Sequence, residues 1–194
     1  MTSNYHRHFK IYKPYGYLSQ FITNQRKGGK HKLLGELGDF PEGTMSIGRL
    51  DKDSEGLLLL TTNGKLSTKV TAGNSEKEYY VQVDGEISED AIAKLRKGVE
   101  IGIQGKNYQT KECRVFKLDT VPEFPERSKP IRDERHGPTS WVSITLTEGK
   151  FRQVKKMTAA VGFATLRLVR VRIANERLDN LDCGEVREIE SVNF

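Results

Sequence analysis

The stretch Gly48-Arg-Leu-Asp51-Lys-Asp53-Ser-Glu55-Gly-Leu57-Leu-Leu-Leu60-Thr-Thr-Asn63-Gly64 decides how this chain is read. Leu57–Thr62 is a short apolar run bounded by turn residues, which predicts a buried strand, with Asn63-Gly64 as a turn after it. A second strand ends at Ile47-Gly48, just before the acidic cluster. Asp51, Asp53 and Glu55 therefore sit on a connection between two strands, where a rigid scaffold would hold them.

On the N-terminal side, His8–Tyr12 reads as a strand, because Lys13 precedes a proline and is pushed to extended geometry. Pro14 and Gly16 suit a turn, and the polar, basic residues 24–32 around Gly28-Gly29 read as a loop. On the C-terminal side, Lys77–Val83 alternates as a strand, with Tyr79, Val81 and Val83 on one face. Ser88 is a helix N-cap, Glu89 and Asp90 fill the first turn, Ile92 and Leu95 face inward, and Gly98 stops the helix. Val99–Ile103 and Tyr108–Leu118 predict a hairpin around Gln104–Asn107. Residues 122–138 hold four of the six prolines and form a long loop. Trp141–Leu146 is a strand. Phe151–Val161 is a helix with Val154, Met157 and Val161 on one face and Gly162 as its cap. Leu166–Ile173 is a strand interleaved with Arg167, Arg170 and Arg172. The class is α+β, a mostly antiparallel mixed sheet with flanking helices.

At 194 residues the chain predicts a single domain over 1–194, and 36% hydrophobic residues suffice for a core without disulfides or metals. The longest apolar run, Leu57–Leu60, is far short of the ~20 residues that cross a bilayer. The first thirty residues contain no apolar signal region. Cys113 and Cys183 have neither CxxC spacing nor a nearby histidine pair. A reducing cytoplasm is expected, with no zinc site and no membrane association. The net charge of +6 is concentrated. Residues 1–35 carry seven Lys/Arg and no acid, and residues 148–172 carry seven against one, while the intervening and C-terminal segments are acidic. A polyanion partner fits such blocks.

The acidic cluster admits several chemistries. A calcium loop would need an acid at its twelfth position, where Thr62 stands. A metal-dependent nuclease would take Asp51, Asp53 and Glu55 as ligands, but no second acidic or histidine cluster completes the site. Asp51 alone could serve as a catalytic carboxylate, kept ionised by Arg49 and a further cation. From pattern alone the commoner role of such a residue is a turn carboxylate capping loop backbone. Lys150, Arg152, Lys155 and Lys156 around the start of the last helix suit a phosphate grip, or a solvated helix face. Tyr79 is either core packing or a surface for stacking a base. His6 and His8 read as incidental.

Taken together, these segments resemble pseudouridine synthases of the ribosomal small-subunit synthase A type. Residues 48–64 are similar to that family's GRLD-x-x-[ST]-x-GLLLLT-x-[ND]-G motif over its whole length. Lys10–Gly16 resembles its opening K-P-x-G motif and Lys77-Glu-Tyr79 its K-x-Y. Glu148–Lys155 resembles E-G-[RK]-x-x-Q-V-[RK], and Leu168-Val-Arg170 resembles L-x-R. Pro130–Trp141 and Met157–Arg170 look like the large-subunit synthase E branch, which lacks an N-terminal S4 RNA-binding domain. Lysines at 150 and 155, where arginine is common, keep the charge and lose bidentate geometry. Tyr80 stands where that branch often has tryptophan.

The resemblance implies a catalytic domain of two lobes around a central cleft that isomerises a specific uridine in 23S ribosomal RNA to pseudouridine, without cofactor or metal. Asp51 would be the nucleophile, Lys155 its ion-pair partner, Tyr79 the group stacked on the uracil, and Leu168 part of the base pocket. The uridine must flip out of its stack, and Arg49 could prop the vacated space. Lys13, Arg26, Lys27, Lys30, Lys32, Lys150, Arg152, Lys156 and Arg170 would bind phosphates, with affinity falling steeply as salt rises. The protein would act as a monomer in the cytoplasm on ribosomal RNA, free or in an assembly particle. The alternatives are a ribosome-assembly factor that binds RNA without catalysis, and then the metal nuclease.

Overall fold

The computed structural model describes residues 5–23 and 31–192. Of the expected phosphate contacts, Arg26, Lys27 and Lys30 lie outside the described residues. In chain order the elements are β1 (His8–Lys13), β2 (Met45–Ile47), β3 (Glu55–Thr61), α1 (Gly64–Ala72), β4 (Lys77–Asp84) and α2 (Glu89–Lys97). They continue with β5 (Glu100–Ile103), β6 (Lys106–Gln109), β7 (Arg114–Lys117), β8 (Thr139–Leu146), α3 (Gln153–Ala160), β9 (Thr165–Ile173), β10 (Glu176–Arg177) and β11 (Val186–Ile189). The α+β class expected from the sequence is the one observed. No helix among the described residues is long and apolar enough to cross a membrane.

Two compact units divide the chain: Met1–Ser75 with Arg170–Phe194, and Glu76–Val169. In the first unit the strand order is β11-β1-β3-β9, with β2 added along β3 and β10 along β9. Strand β1 runs antiparallel to β3, with Phe9 opposite Leu60 and Ile11 opposite Leu58. All seven residues of β3 are buried, which is why its sequence is continuous rather than alternating. Phe9, Ile11, Leu34, Leu58 and Leu60 form the centre of this core, with Phe21 and Phe40 packed against it. Phe40 meets the rings of Phe9 and Phe21 edge-on, at centroid distances of 5.7 and 5.2 Å.

The second unit has the order β9-β4-β8-β7, and a separate hairpin, β5-β6. Strand β4 alternates as its sequence predicts, with Tyr79, Val81 and Val83 buried. Helix α2 begins at Ser88, whose hydroxyl accepts the Ala91 N–H, and buries Ala91, Ile92 and Leu95. Residues 122–138 are held by arginines. Arg127 donates to the carbonyls of Lys129, Pro130 and Leu166, Arg132 to those of His136 and Pro138 and to the Asp84 carboxylate, and Arg167 to Pro125.

Three expectations are corrected. Asn63-Gly64 is not a strand-ending turn: Asn63 caps α1, its side chain accepting the Leu66 N–H at 3.1 Å. Only Val70 of this helix is buried, so it carries no apolar stripe to betray it. Tyr108–Leu118 is not one strand. The chain leaves β6 at Thr110, which bonds Val99 through backbone and hydroxyl, and Cys113 N–H donates to the Arg96 carbonyl of α2. Strand β7 then pairs with β8 instead of completing the hairpin. Helix α3 starts at Gln153, two residues later than expected, because Arg152 adopts φ +52°.

Gly98 ends α2 at φ +85°, and an added Cβ would meet the Thr110 carbonyl oxygen at 2.2 Å. Gly105, in the β5–β6 turn, has φ +77° with open space around it. Gly105→Ala should cost about 1–2 kcal/mol for the left-handed backbone alone. Gly98→Ala should lose that plus roughly 1–3 kcal/mol of overpacking. Urea unfolding of the two variants measures the difference. Equal losses would mean that the contact with Thr110 is not what limits this corner.

Candidate active site

The first unit gathers Lys13, Arg49, Asp51, Asp53, Glu55 and Arg170 around the connection from β2 to β3. Asp51 is half-buried, and the backbone on both sides of it is fixed by groups distant in sequence. Ser19 Oγ accepts the Leu50 N–H at 2.9 Å and donates to the Leu50 carbonyl at 2.8 Å. Gly16 N–H donates to the Lys52 carbonyl at 2.8 Å, and Ser54 N–H closes the turn onto the Asp51 carbonyl at 3.0 Å. Arg170 donates through Nη1 to the Arg49 carbonyl at 3.2 Å and through Nε to the Leu57 carbonyl at 2.8 Å. The Arg49 side chain itself is exposed.

Lys13 and Arg170 overturn their expected role as phosphate contacts. Lys13 is 0% exposed and Arg170 3%. The Lys13 ammonium donates to the carbonyls of Pro14 and Tyr17, at 2.9 and 2.8 Å. Burial pushes its pKa down to about 7. The Glu55 carboxylate opposes that shift, Arg170 adds to it, and Asp53 and Asp51 oppose it more weakly. Arg170 therefore braces the backbone on both sides of Asp51, while Lys13 ties down residues 14–17, whose Gly16 N–H meets the Lys52 carbonyl. Among the described residues no group of three or more His, Cys, Asp or Glu side chains converges to hold a metal ion.

The second unit carries the remaining candidates. Tyr79 is 8% exposed on β4, opposite Ile144 of β8, and Leu168 is buried on β9. Lys155 is half-buried on α3, between the buried Val154 and Met157. The turn before that helix is braced by two residues that sequence reasoning left without a role, Glu148 and Gln153. The Glu148 carboxylate accepts from Tyr108 OH at 2.6 Å, Lys111 N–H at 2.9 Å and Gln153 Nε2 at 2.5 Å. Gln153 Oε1 accepts the Lys150 N–H at 2.9 Å. Burial alone would raise the Glu148 pKa, but these three hydrogen bonds outweigh it and hold the carboxyl below its usual range.

A family profile described as RNA pseudouridylate synthase matches residues 7–160, a span that includes Lys13, Asp51, Tyr79 and Lys155. The chain belongs to the RNA pseudouridylate synthase family. The ribosomal large subunit pseudouridine synthase E of Vibrio parahaemolyticus is 42% identical over 180 residues, covering 92% of this chain and 71% of that protein. The protein of the same name from Xanthomonas axonopodis is 42% identical over 171 residues, covering 87% and 86%. The crystal structure of a pseudouridylate synthase superposes with a TM-score of 0.74 at 28% identity, covering 95% of this chain and 70% of that one. The fold is that of the pseudouridine synthases.

In this pseudouridine synthase the other expected phosphate contacts differ in access. Lys32 is exposed, with its ammonium 5.4 Å from the Tyr17 ring. Lys150 is exposed, and Arg152 and Lys156 are half-buried. Of the bracing residues, Ser19 lay beyond sequence reasoning. It lies 31 positions from Leu50, and a serine hydroxyl bonding distant backbone leaves no local pattern.

An ordinary lysine titrates near 10.5 and Lys13 near 7. Between those values the unfolded chain holds a proton that the folded chain has released, so stability rises with pH, and below pH 7 the full cost of burying the charge is present. Lys13→Met removes this titration. Between about pH 7.5 and 9.5 the slope of unfolding free energy against pH should fall by up to ~1.4 kcal/mol per unit relative to the parent chain. Urea unfolding across that range measures the slopes, and parallel slopes would show that Lys13 is not the group responsible.

Proposed function

We propose that this pseudouridine synthase isomerises a uridine of large-subunit (23S) ribosomal RNA to pseudouridine, with Asp51 as the nucleophile. The observation that carries the catalytic assignment is the clamped turn. Leu50 is fixed at both backbone groups and Lys52 at its carbonyl, so Asp51 is presented by a backbone with little freedom to move. A preoriented nucleophile has already lost the entropy that a reacting group must otherwise lose. The choice of large-subunit RNA is supported by the names of relatives that match most of this chain. They favour that branch over small-subunit RNA.

In this reading the Asp51 carboxylate attacks either the ribose C1′ as the glycosidic bond breaks or the uracil ring itself. The detached base turns and its C5 forms the new bond to C1′, and the bond to Asp51 breaks and frees the carboxylate. The C5 proton passes to water or a basic group, and N1 takes up a proton from water, so that substrate and product have the same composition. Tyr79 stacks on the uracil, Leu168 packs the base pocket, and Lys155 supplies the counter-charge for the Asp51 carboxylate. Arg49, exposed two residues before Asp51, fills the space that the flipped uridine leaves. Lys32, Lys150, Arg152 and Lys156, with Arg26, Lys27 and Lys30, hold phosphates, and the 24–32 and 122–138 segments select the site. Residues 1–194 act as one catalytic domain and as a monomer. The protein is placed in a reducing cytoplasm, as two cysteines without CxxC spacing suggest.

With ribosomal RNA carrying tritium at uridine C5, the parent chain should release label in the presence of EDTA, and Asp51→Ala should release no more than protein-free RNA does. Release that persists in Asp51→Ala would remove the nucleophile assignment. Release that requires Mg²⁺ would return the metal-assisted reading, and RNA binding with no release by the parent chain would favour an assembly factor.

A further inference from the structure

Phe151 is 68% exposed, although its bulk belongs in a core. It stands at the tip of a braced turn. Gln153 Oε1 holds the Lys150 N–H, Gln153 Nε2 holds Glu148, and Glu148 is held in turn by Tyr108 OH. Arg152, at φ +52° and ψ +33°, reverses the chain directly after Phe151. The ring is therefore kept in solvent by the fold.

Its surroundings are cationic. The Lys156 ammonium stands 5.3 Å from the centroid of the Phe151 ring, over one of its two faces, and donates to the Gly102 carbonyl at 2.6 Å. Lys150 is exposed next to it in sequence, 4.8 Å from the Tyr108 ring. Among the described residues neither Lys150 nor Lys156 has a carboxylate partner. Phe116, the other exposed phenylalanine among the described residues, is a useful contrast. It lies in the same unit beside Arg114 and Lys117, but Glu76 pairs with Arg114 at 2.8 Å and Glu86 with Lys117 at 2.6 Å. Of these two phenylalanines, Phe151 is the one whose neighbouring lysines, Lys150 and Lys156, have no carboxylate partner among the described residues.

We infer that Phe151 is a stacking platform for an unpaired base of single-stranded RNA. The base lies on the ring face that Lys156 does not cover, and Lys150, Arg152 and Lys156 hold the adjoining phosphates. The proposal rests on the reading of RNA as the substrate and adds a contact that the isomerisation chemistry does not require. Every base has a π-face, so the platform is tolerant of sequence and contributes affinity without selecting the modified uridine.

The test uses the full chain with two probes, a short oligouridylate and a ribose-phosphate oligomer of equal length that lacks bases. Phe151→Ala should weaken the oligouridylate about 5- to 150-fold, the usual range for losing one aromatic–base stack. It should leave the abasic oligomer within about 2-fold, since the phosphate contacts remain. Phe151→Tyr should bind both as the parent does, Phe116→Ala should change neither, and Lys150→Gln should weaken both together. In Phe151→Trp the added indole should be quenched by the oligouridylate and not by the abasic oligomer, over a background from Trp141, which is only 7% exposed. If Phe151→Ala binds the oligouridylate as the parent does, or weakens both probes alike, the platform is overturned. Tritium release separates this from the proposed function. Release by the parent chain together with unchanged binding by Phe151→Ala overturns the platform alone. Selective quenching in Phe151→Trp together with no release by the parent chain supports the platform and overturns the isomerase.

Discussion

The Lys13 ammonium has no access to solvent, and the local architecture of the first unit follows from that. A buried lone cation costs several kcal/mol unless hydrogen bonds and opposite charge replace its water. Here the carbonyls of Pro14 and Tyr17 supply the hydrogen bonds, so residues 14–17 wrap around the ammonium of the residue that precedes them. Gly16, inside that wrap, points its N–H at Lys52, and Ser19, just beyond it, clamps Leu50. Arg170 grips the Arg49 and Leu57 carbonyls. Arg170 thus fixes the backbone on either side of Asp51 directly, and Lys13 acts at one remove, by holding residues 14–17 in the path from which Gly16 reaches Lys52.

This changes what the basic blocks mean. Charge counted along the chain treats every lysine and arginine as available to a polyanion, but several are committed to the fold. Among the described cations of residues 1–35, Arg7 pairs with Glu188, Lys10 with Asp179, and Lys13 is buried. In residues 148–172, Arg167, Arg170 and Arg172 all donate to main-chain carbonyls. An arginine on a strand can serve as a multi-headed donor that joins separate stretches of backbone. Among the described residues of these blocks, the exposed cations, Lys32 and Lys150 above all, are fewer than the sum suggests.

What could be read from the sequence divides along the same line. Strands β1, β3, β4 and β8 and helix α2 were legible because apolar periodicity and caps report burial locally: Ser88, Ile92, Leu95 and Gly98 each do what their position implies. Helix α1 was not, since a helix that buries only Val70 has no pattern to find, and its cap Asn63 doubles as a turn residue. Asp51, Tyr79, Lys155 and Leu168 were named from motifs, yet the motifs do not say which of their polar residues react and which only brace. Lys13 and Arg170 were assigned to phosphates because a long side chain with a charged end has two fates, and sequence does not distinguish them.

The distinction between bracing and reacting can be drawn from hydrogen-bond capacity. An ionised carboxylate can accept about four hydrogen bonds and loses basicity and nucleophilicity as they fill, because each one stabilises the charge that a reaction must move. Glu148 takes a phenol O–H, a backbone N–H and a side-chain amide, and its lowered pKa expresses that saturation. It is well suited to hold the turn of Phe151 and poorly suited to attack or accept a proton. At Asp51 the arrangement is inverted. The hydrogen bonds that fix its position fall on the backbone of Leu50, Asp51 and Lys52. The same economy governs both units: polar residues of the motifs are used to fix main chain, so that the few side chains left at the tips, Asp51 and Phe151, are presented in a set geometry.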